Sequence, residues 1–268
     1  MKSLGKVITV LIYAFLYAPL LVMIVFSFNA GKSTSVFSGF SFKWYMELFT
    51  SRELVERLVN SLVLAVSSSL IATMLGTVAA IGISRLKNKF VTGTVMTVNN
   101  IPMMNPDIVT GVSMMLLFTF VGVMMGAVSK VNFWTLLISH ITFNIPYVIL
   151  NVLPRLRQAD RSLMEAAQDL GCPPAKAFFK VMLPEIMPGI LAGLLMAFTL
   201  SFDDFVISYY TSGPDFQTLP VYIYSLVKKT VTPDIYALYT IILVAILALL
   251  IVYNIIVGRA DSKAKAKR

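Results

Sequence analysis

The chain has 268 residues, of which 57% are hydrophobic and 13% charged, and its formal net charge is +9. So few charges exclude an ordinary soluble domain, where about 25% of residues are charged; the long apolar runs point instead to an all-α integral membrane protein. A single cysteine, Cys172, excludes an internal disulfide and a thiolate metal cluster.

Six runs reach the roughly 20 apolar residues that a bilayer requires. They are 7–28, 60–84, 98–125, 134–153, 186–209 and 236–257, within one transmembrane domain covering 1–268. The first follows Lys2 and Lys6 and is longer than the ~7–15 apolar residues of a signal peptide, so it reads as a retained helix with its N-terminus inside. Alternating from there, the inside stretches take Lys2 and Lys6; Arg85, Lys87 and Lys89; Arg155, Arg157, Arg161, Lys176 and Lys180; and the tail "RADSKAKAKR". The outside stretches take the smaller share, Lys32, Lys43, Arg52, Arg57, Lys130, Lys228 and Lys229. This asymmetry obeys the positive-inside rule and puts both termini in the cytoplasm. The positive charge is thus a topology signal, not a nucleic-acid surface, and the basic tail reads as a disordered inside anchor.

The outer segment 29–59 places Phe42, Tyr45, Leu48 and Phe49 at helical spacing. Trp44 and Tyr45 suit a membrane–water interface. With Glu47, Glu53 and Glu56 beside them, the same residues suit a landing surface for an external partner, so Trp44, Tyr45 and Glu47 are the candidate contacts.

In the third run, "NNIPMMNPDIVTG" predicts a broken span. Asn105 can cap, and Pro106 can open a half-helix with Asp107 in its first turn. Asp107 then either lines a cavity or satisfies that helix end. Gly122 with Gly126, and Gly189 with Gly193, match small-xxx-small helix packing. The only histidine, His140, reads as an interhelical hydrogen-bond residue, and with no His or Cys partners no metal site is expected.

Between the fourth and fifth runs, about 155–184, lies "EAAQDLGCPPAKAFFKVMLPEIMPGI". Ser162 with Glu165 fits a capping box, and Leu163, Ala166, Ala167 and Leu170 share one helical face. Gly171 is a C-terminal stop. Pro173 and Pro174 permit a restart as a second short helix over 174–182, and Pro184 opens the fifth span. A helix of two turns is marginal alone in water, so it must dock; spacing leaves open whether on the protein's own helix ends or on a separate protein.

In the fifth run, "LSFDDFVISYY" carries Asp203 and Asp204 near the outer end. An Asp at a helix centre costs about 2.5–3.5 kcal/mol on insertion scales, so two adjacent acids suit a water-filled cavity or mouth better than lipid. Phe198, Phe202, Phe205 and Tyr209 recur on one face of an unbroken helix. Carboxylates beside rings suit an elongated organic cation, which makes Asp107, Asp203, Asp204, Phe202 and Tyr209 the candidate substrate-binding residues.

The loop from Glu165 resembles the EAA loop of ABC-importer permeases: Glu165-Ala166-Ala167, Gly171, then Leu183-Pro184. The resemblance implies a type I ABC importer permease fold with six transmembrane helices. It also implies that Glu165, Ala166, Ala167 and Gly171 form the coupling contact with a cytoplasmic ATPase subunit. The chain has no G-x-x-x-x-G-K-[ST] motif, Phe26 standing where the stretch Gly31-Lys32-Ser33 would need a glycine. No cofactor of its own is expected, and ATP would bind to the partners.

More widely, "WYMELF", "HITFNIPYVILNVLPRLRQAD" and "LMAFTLSFDDFVISYYTSGPDFQTLPVYIYS" resemble the permease subunits of spermidine/putrescine importers. What that implies is a non-enzymatic subunit of the cell inner membrane. It would work with a second permease subunit, cytoplasmic ATPase subunits and an external polyamine-binding protein. Two alternatives are a permease for another cation such as ferric iron or thiamine, and a stand-alone secondary transporter.

Overall fold

The computed structural model describes residues 2–33, 36–126, 131–228 and 233–265. Lys130, Lys229 and the last three residues of the basic tail lie outside them. Two compact units form, one of Met1–Glu56 with Ile223–Arg268 and one of Arg57–Tyr222.

The first unit is built on α1 (Lys2–Ser27), α2 (Lys43–Thr50) and α12 (Pro233–Lys265). Both α1 and α2 pack against α12. Phe15, Leu11 and Leu21 of α1 point out of the unit and are exposed, as suits a helix whose solvent is lipid. The link from α1 to α2 is wound around Asn29. Its Nδ2 donates to the carbonyls of Ser33 and Val36 at 2.8 Å each, and its Oδ1 accepts from the Gly31 and Ser38 amides. This one side chain satisfies backbone groups that a turn of this length leaves orphaned. The tail was expected to be disordered, yet α12 continues through Lys265, carrying the helix of the sixth apolar run into the basic stretch.

The second unit holds most of α3 (Arg52–Ser84), then α4 (Lys89–Met104), α5 (Asp107–Met124), α6 (Phe133–Gln158), α7 (Arg161–Asp169), α8 (Pro174–Ala177), α9 (Leu183–Asp203) and α10 (Val206–Thr211). It ends in the first turn of α11 (Leu219–Val227). Its centre is α6, capped at Asn132, whose Oδ1 accepts from Trp134 and Thr135 in a complete capping box. Val148, Ile149, Val152 and Leu153 of α6 bury against Ala80 and Ile83 of α3 and Ile186 and Ala197 of α9. Glycine permits the closest approach. A Cβ on Gly189 would meet the Asn151 carbonyl at 2.8 Å, and one on Gly193 would meet Val148 Cα at 3.3 Å, so this pair is the helix contact its spacing predicts. Gly126 is not: at φ +68 it ends α5 in the left-handed region, and a Cβ there would touch nothing within 4 Å.

Among the described residues, five helices are long and apolar enough to cross a membrane: Gly5–Ser27, Arg52–Ser84, Asp107–Met124, Phe133–Gln158 and Pro174–Asp203. The sixth expected span falls on α12, whose apolar part within the described residues runs Pro233–Ala248. Three boundaries differ from the sequence reading. The third run is two helices, α4 starting as early as Lys89 because Asn88 caps it through the Phe90 amide. The second loop helix and the fifth span are one continuous helical stretch rather than two, joined by a π turn at Phe178–Met182. Pro184 has no N–H to donate, and the wider turn before it absorbs the missing bond. Finally, the fifth span stops at Asp203 instead of running to 209.

Candidate functional site

The stop at Asp203 comes with no proline or glycine. Asp204 takes an extended backbone, φ −66 and ψ 124, and α10 begins at Val206. Its carboxylate turns back as a cap, Oδ1 accepting from the Ile207 amide at 3.3 Å and Oδ2 from the Ser208 amide at 2.7 Å. That satisfies donors which the start of a helix leaves free. The two neighbouring acids therefore part company: Asp204 is turned inward, whereas Asp203 is exposed.

Behind the break lies a buried polar cluster on four helices, α3, α6, α9 and α10. His140 Nδ1 is 3.2 Å from Ser201 Oγ, and Nε2 is 3.1 Å from Ser208 Oγ and 3.5 Å from Asp204 Oδ2. Ser201 Oγ also accepts from Asn144 Nδ2 at 2.7 Å and lies 2.8 Å from Ser68 Oγ. A carboxylate only accepts, so the ring proton belongs on Nε2, leaving Nδ1 to accept from the Ser201 hydroxyl. Of this cluster the sequence reading named His140 and Asp204; it missed Ser68, Asn144, Ser201 and Ser208. The available signal was small polar residues inside apolar runs, which must find partners there.

The rings also divide at the break. Phe198 stacks on Phe202 at 6.0 Å, and Phe205 pairs with Tyr209 at 5.6 Å. The expected single aromatic face therefore becomes two short ones. Tyr209, like Asp203, is exposed, and Phe202 is half-buried.

Asp107 sits at the predicted break in the third run, with one correction. Asn105 closes α4 rather than capping α5, and Pro106 holds the N-cap position of α5 without a side-chain bond. Asp107 is exposed in the first turn of α5. One turn on, Gly111 packs against Val206, Ile207 and Tyr210, where a Cβ would meet the Tyr210 ring at 3.1 Å. The start of α5 thus lies against α10, so the two helix breaks are neighbours in one unit.

On the loop, α7 has the predicted length and stop but a different cap. Asp160, not Ser162, is the N-cap and accepts from the Ser162 amide at 2.9 Å. That bond holds the Asp160 carboxyl below its ordinary pKa. The helix ends in a Schellman arrangement: Gly171, at φ +83, donates to the Gln168 carbonyl and Cys172 to that of Ala167. Leu170 is 89% exposed and Leu163 48%, with Ala166 exposed between them and Ala167 half-buried. No described residue covers this apolar edge. On its other side Met164, Glu165 and Gln168 line a cleft of about 640 Å³ with Arg85, Lys87 and Leu156.

In the outer segment Trp44 is only 5% exposed. Its Nε1 donates to the Asn29 carbonyl at 2.6 Å, so the ring serves the inside of its unit rather than offering itself to an outside partner. Tyr45 is half-buried and its hydroxyl bonds Ser27 Oγ at 2.7 Å. Glu47 is exposed, and Phe40, Phe42 and Phe49 present the outward rings.

Known proteins resemble this chain over most of its length. The chain is 40% identical over 248 residues to the spermidine/putrescine transport system permease protein PotC of Escherichia coli strain K12, covering 91% of this chain and 90% of that one. It is 40% identical over 240 residues to the putrescine transport system permease protein PotI of the same strain, covering 90% and 85%. Its fold matches a chain in the crystal structure of a bacterial ABC transporter involved in the import of the acidic polysaccharide alginate, with a TM-score of 0.76, 17% identity, and 96% and 95% of the two chains covered. Residues 72–266, which include both helix breaks and the whole loop, match the model of one family. The chain belongs to the binding-protein-dependent transport system inner membrane components, with the permease fold of ABC importers.

Proposed function

We propose that this chain is one of the permease subunits of an ATP-driven polyamine importer, with both termini in the cytoplasm. It forms half of a translocation path completed by a second permease subunit. The cargo arrives from an external polyamine-binding protein, and cytoplasmic ATPase subunits grip α7. The chain itself performs no covalent chemistry.

The observation that carries the cation reading is Asp203, an exposed carboxylate at the end of a span-length apolar helix. An acid placed there is costly against lipid and useful against a passing ammonium group. Tyr209, the fourth residue of α10, is exposed and adds a ring face of the kind that attracts cations. Asp107, exposed at the neighbouring break, is a second acid for the path. Two relatives named for polyamine transport at 40% identity support the same cargo. The uncovered apolar edge of α7 supports the coupling role, since a nine-residue helix with Leu163 and Leu170 in water requires a partner. Glu165 would meet that partner's basic groups, Ala166 and Ala167 would allow close approach, and Gly171 would set where the helix ends.

The test is purification of the assembled complex with its partner subunits, reconstitution in lipid, and measurement of ATP hydrolysis with spermidine, putrescine, thiamine or ferric iron supplied through the binding protein. Stimulation by a polyamine alone is expected. Stimulation by thiamine or iron and not by polyamines would reject the cargo assigned here.

A further inference from the structure

The break in the fifth span raises a physical problem. Nothing in "LSFDDFVIS" breaks a helix by its own chemistry, because it contains neither proline nor glycine. The piece beyond the break, α10, has six residues, too few to persist alone. The cap from Asp204 secures the α10 amides but does not tie them back to α9. Other side chains hold only one flank: Asn144 and Ser68 bond Ser201 on the α9 side, and Thr135 Oγ1 donates to the Thr211 carbonyl on the α10 side.

His140 alone among these bonds both flanks, through Ser201 at 3.2 Å and Ser208 at 3.1 Å. On an unbroken helix these two serines would be roughly 10 Å apart along the axis. That is farther than one imidazole with a hydrogen bond at each nitrogen spans. The ring can make both bonds only when the chain is broken between them. It is fully buried on α6, a helix fixed by the core.

We propose that His140 is the positioning residue that holds the fifth span broken and thereby aims Asp203 out of the protein while Asp204 faces in. This rests on the reading of Asp203 as a cargo-facing acid. His140 never touches cargo. Its two nitrogens fix the directions of α9 and α10, and those directions fix where the exposed carboxylate points.

The experiment uses the complete importer in proteoliposomes and reads polyamine taken up per ATP hydrolysed. Poor assembly lowers uptake and hydrolysis together and leaves this ratio unchanged, so the ratio isolates positioning. Asp203→Asn, His140→Ala and the double variant form a cycle. Losing an aligned charged hydrogen bond predicts a fall in the ratio on the order of tenfold for each single variant. If His140 acts through Asp203, the double variant falls no further than Asp203→Asn alone. A wild-type ratio in Asp203→Asn rejects the cargo reading and the proposal with it. A reduced ratio in Asp203→Asn with a wild-type ratio in His140→Ala rejects the positioning role alone, as does a double variant in which the two losses multiply. If His140→Ala does not assemble, Ser208→Ala replaces it in the cycle under the same criteria, because it removes the α10 bond and leaves the backbone cap in place.

Discussion

Asp204 Oδ2 lies 3.5 Å from His140 Nε2 while accepting the Ser208 amide at 2.7 Å. The carboxylate is therefore structural whatever else it does, and its neighbour Asp203 is not. Asp204→Ala should destabilise the second unit by about 1–3 kcal/mol, through a lost cap and an unpaired buried donor. Asp203→Ala should change stability by less than about 0.5 kcal/mol, as an exposed substitution. Thermal unfolding of the purified complex in mild detergent checks this, and equal melting temperatures for the two variants would refute the division.

Gly189 and Gly82 should respond to alanine with opposite signs. At Gly189 the new methyl meets a backbone carbonyl at 2.8 Å, and overpacking of this kind costs about 1–3 kcal/mol. At Gly82, inside α3, it meets nothing within 4 Å, so the helix gains up to about 1 kcal/mol from reduced backbone freedom. The same unfolding assay should show one melting temperature falling and the other rising.

Gly171 holds α7 to its length. At φ +83 an L side chain strains the backbone by about 1–2 kcal/mol, so Gly171→Asp should unravel the Schellman end. Glu165→Lys keeps the fold and reverses a charge. Both should reduce co-purification of the ATPase subunits and reduce uptake. Unchanged association and uptake in both variants would remove α7 from the coupling role.

Acid should act on α7 through Asp160. Its folded pKa lies below the ordinary 3.8 because the Ser162 amide bonds the ionised form. The cap's contribution is therefore complete above the unfolded value and is lost as pH falls through the folded one. Asp160→Asn keeps an acceptor without a titrating group and should abolish that part of the acid response. Hydrogen exchange at the Ser162 amide across pH 2–6 would register it, and identical profiles in both proteins would count against the cap.

What the residues disclosed in advance tracks how local the cause is. The end of α7 was legible because Gly171 needs only its own φ. The break at Pro106 was legible because proline lacks an N–H. The cap at Asp160 was assigned to Ser162, since Asp-x-Ser-x-x-Glu offers two acceptors and only the backbone path chooses between them. The break at Asp203 was not legible. Its cause is a ring on another helix, 61 residues from Ser201 in sequence, and the spacing of Phe198, Phe202, Phe205 and Tyr209 fitted a continuous helix equally well. Trp44 was misplaced for a related reason: an aromatic beside acids reads as surface until Asn29 supplies the carbonyl that turns it inward.

The central claim is that polyamine crosses here only when a separate ATPase works on α7. The direct measurement is uptake of labelled spermidine into proteoliposomes containing the complete complex and its binding protein. ATP on the ATPase side is compared with an imposed ion or voltage gradient and no nucleotide. The account predicts accumulation with ATP and none with the gradient alone. Accumulation driven by a gradient through this chain without ATPase subunits would contradict it.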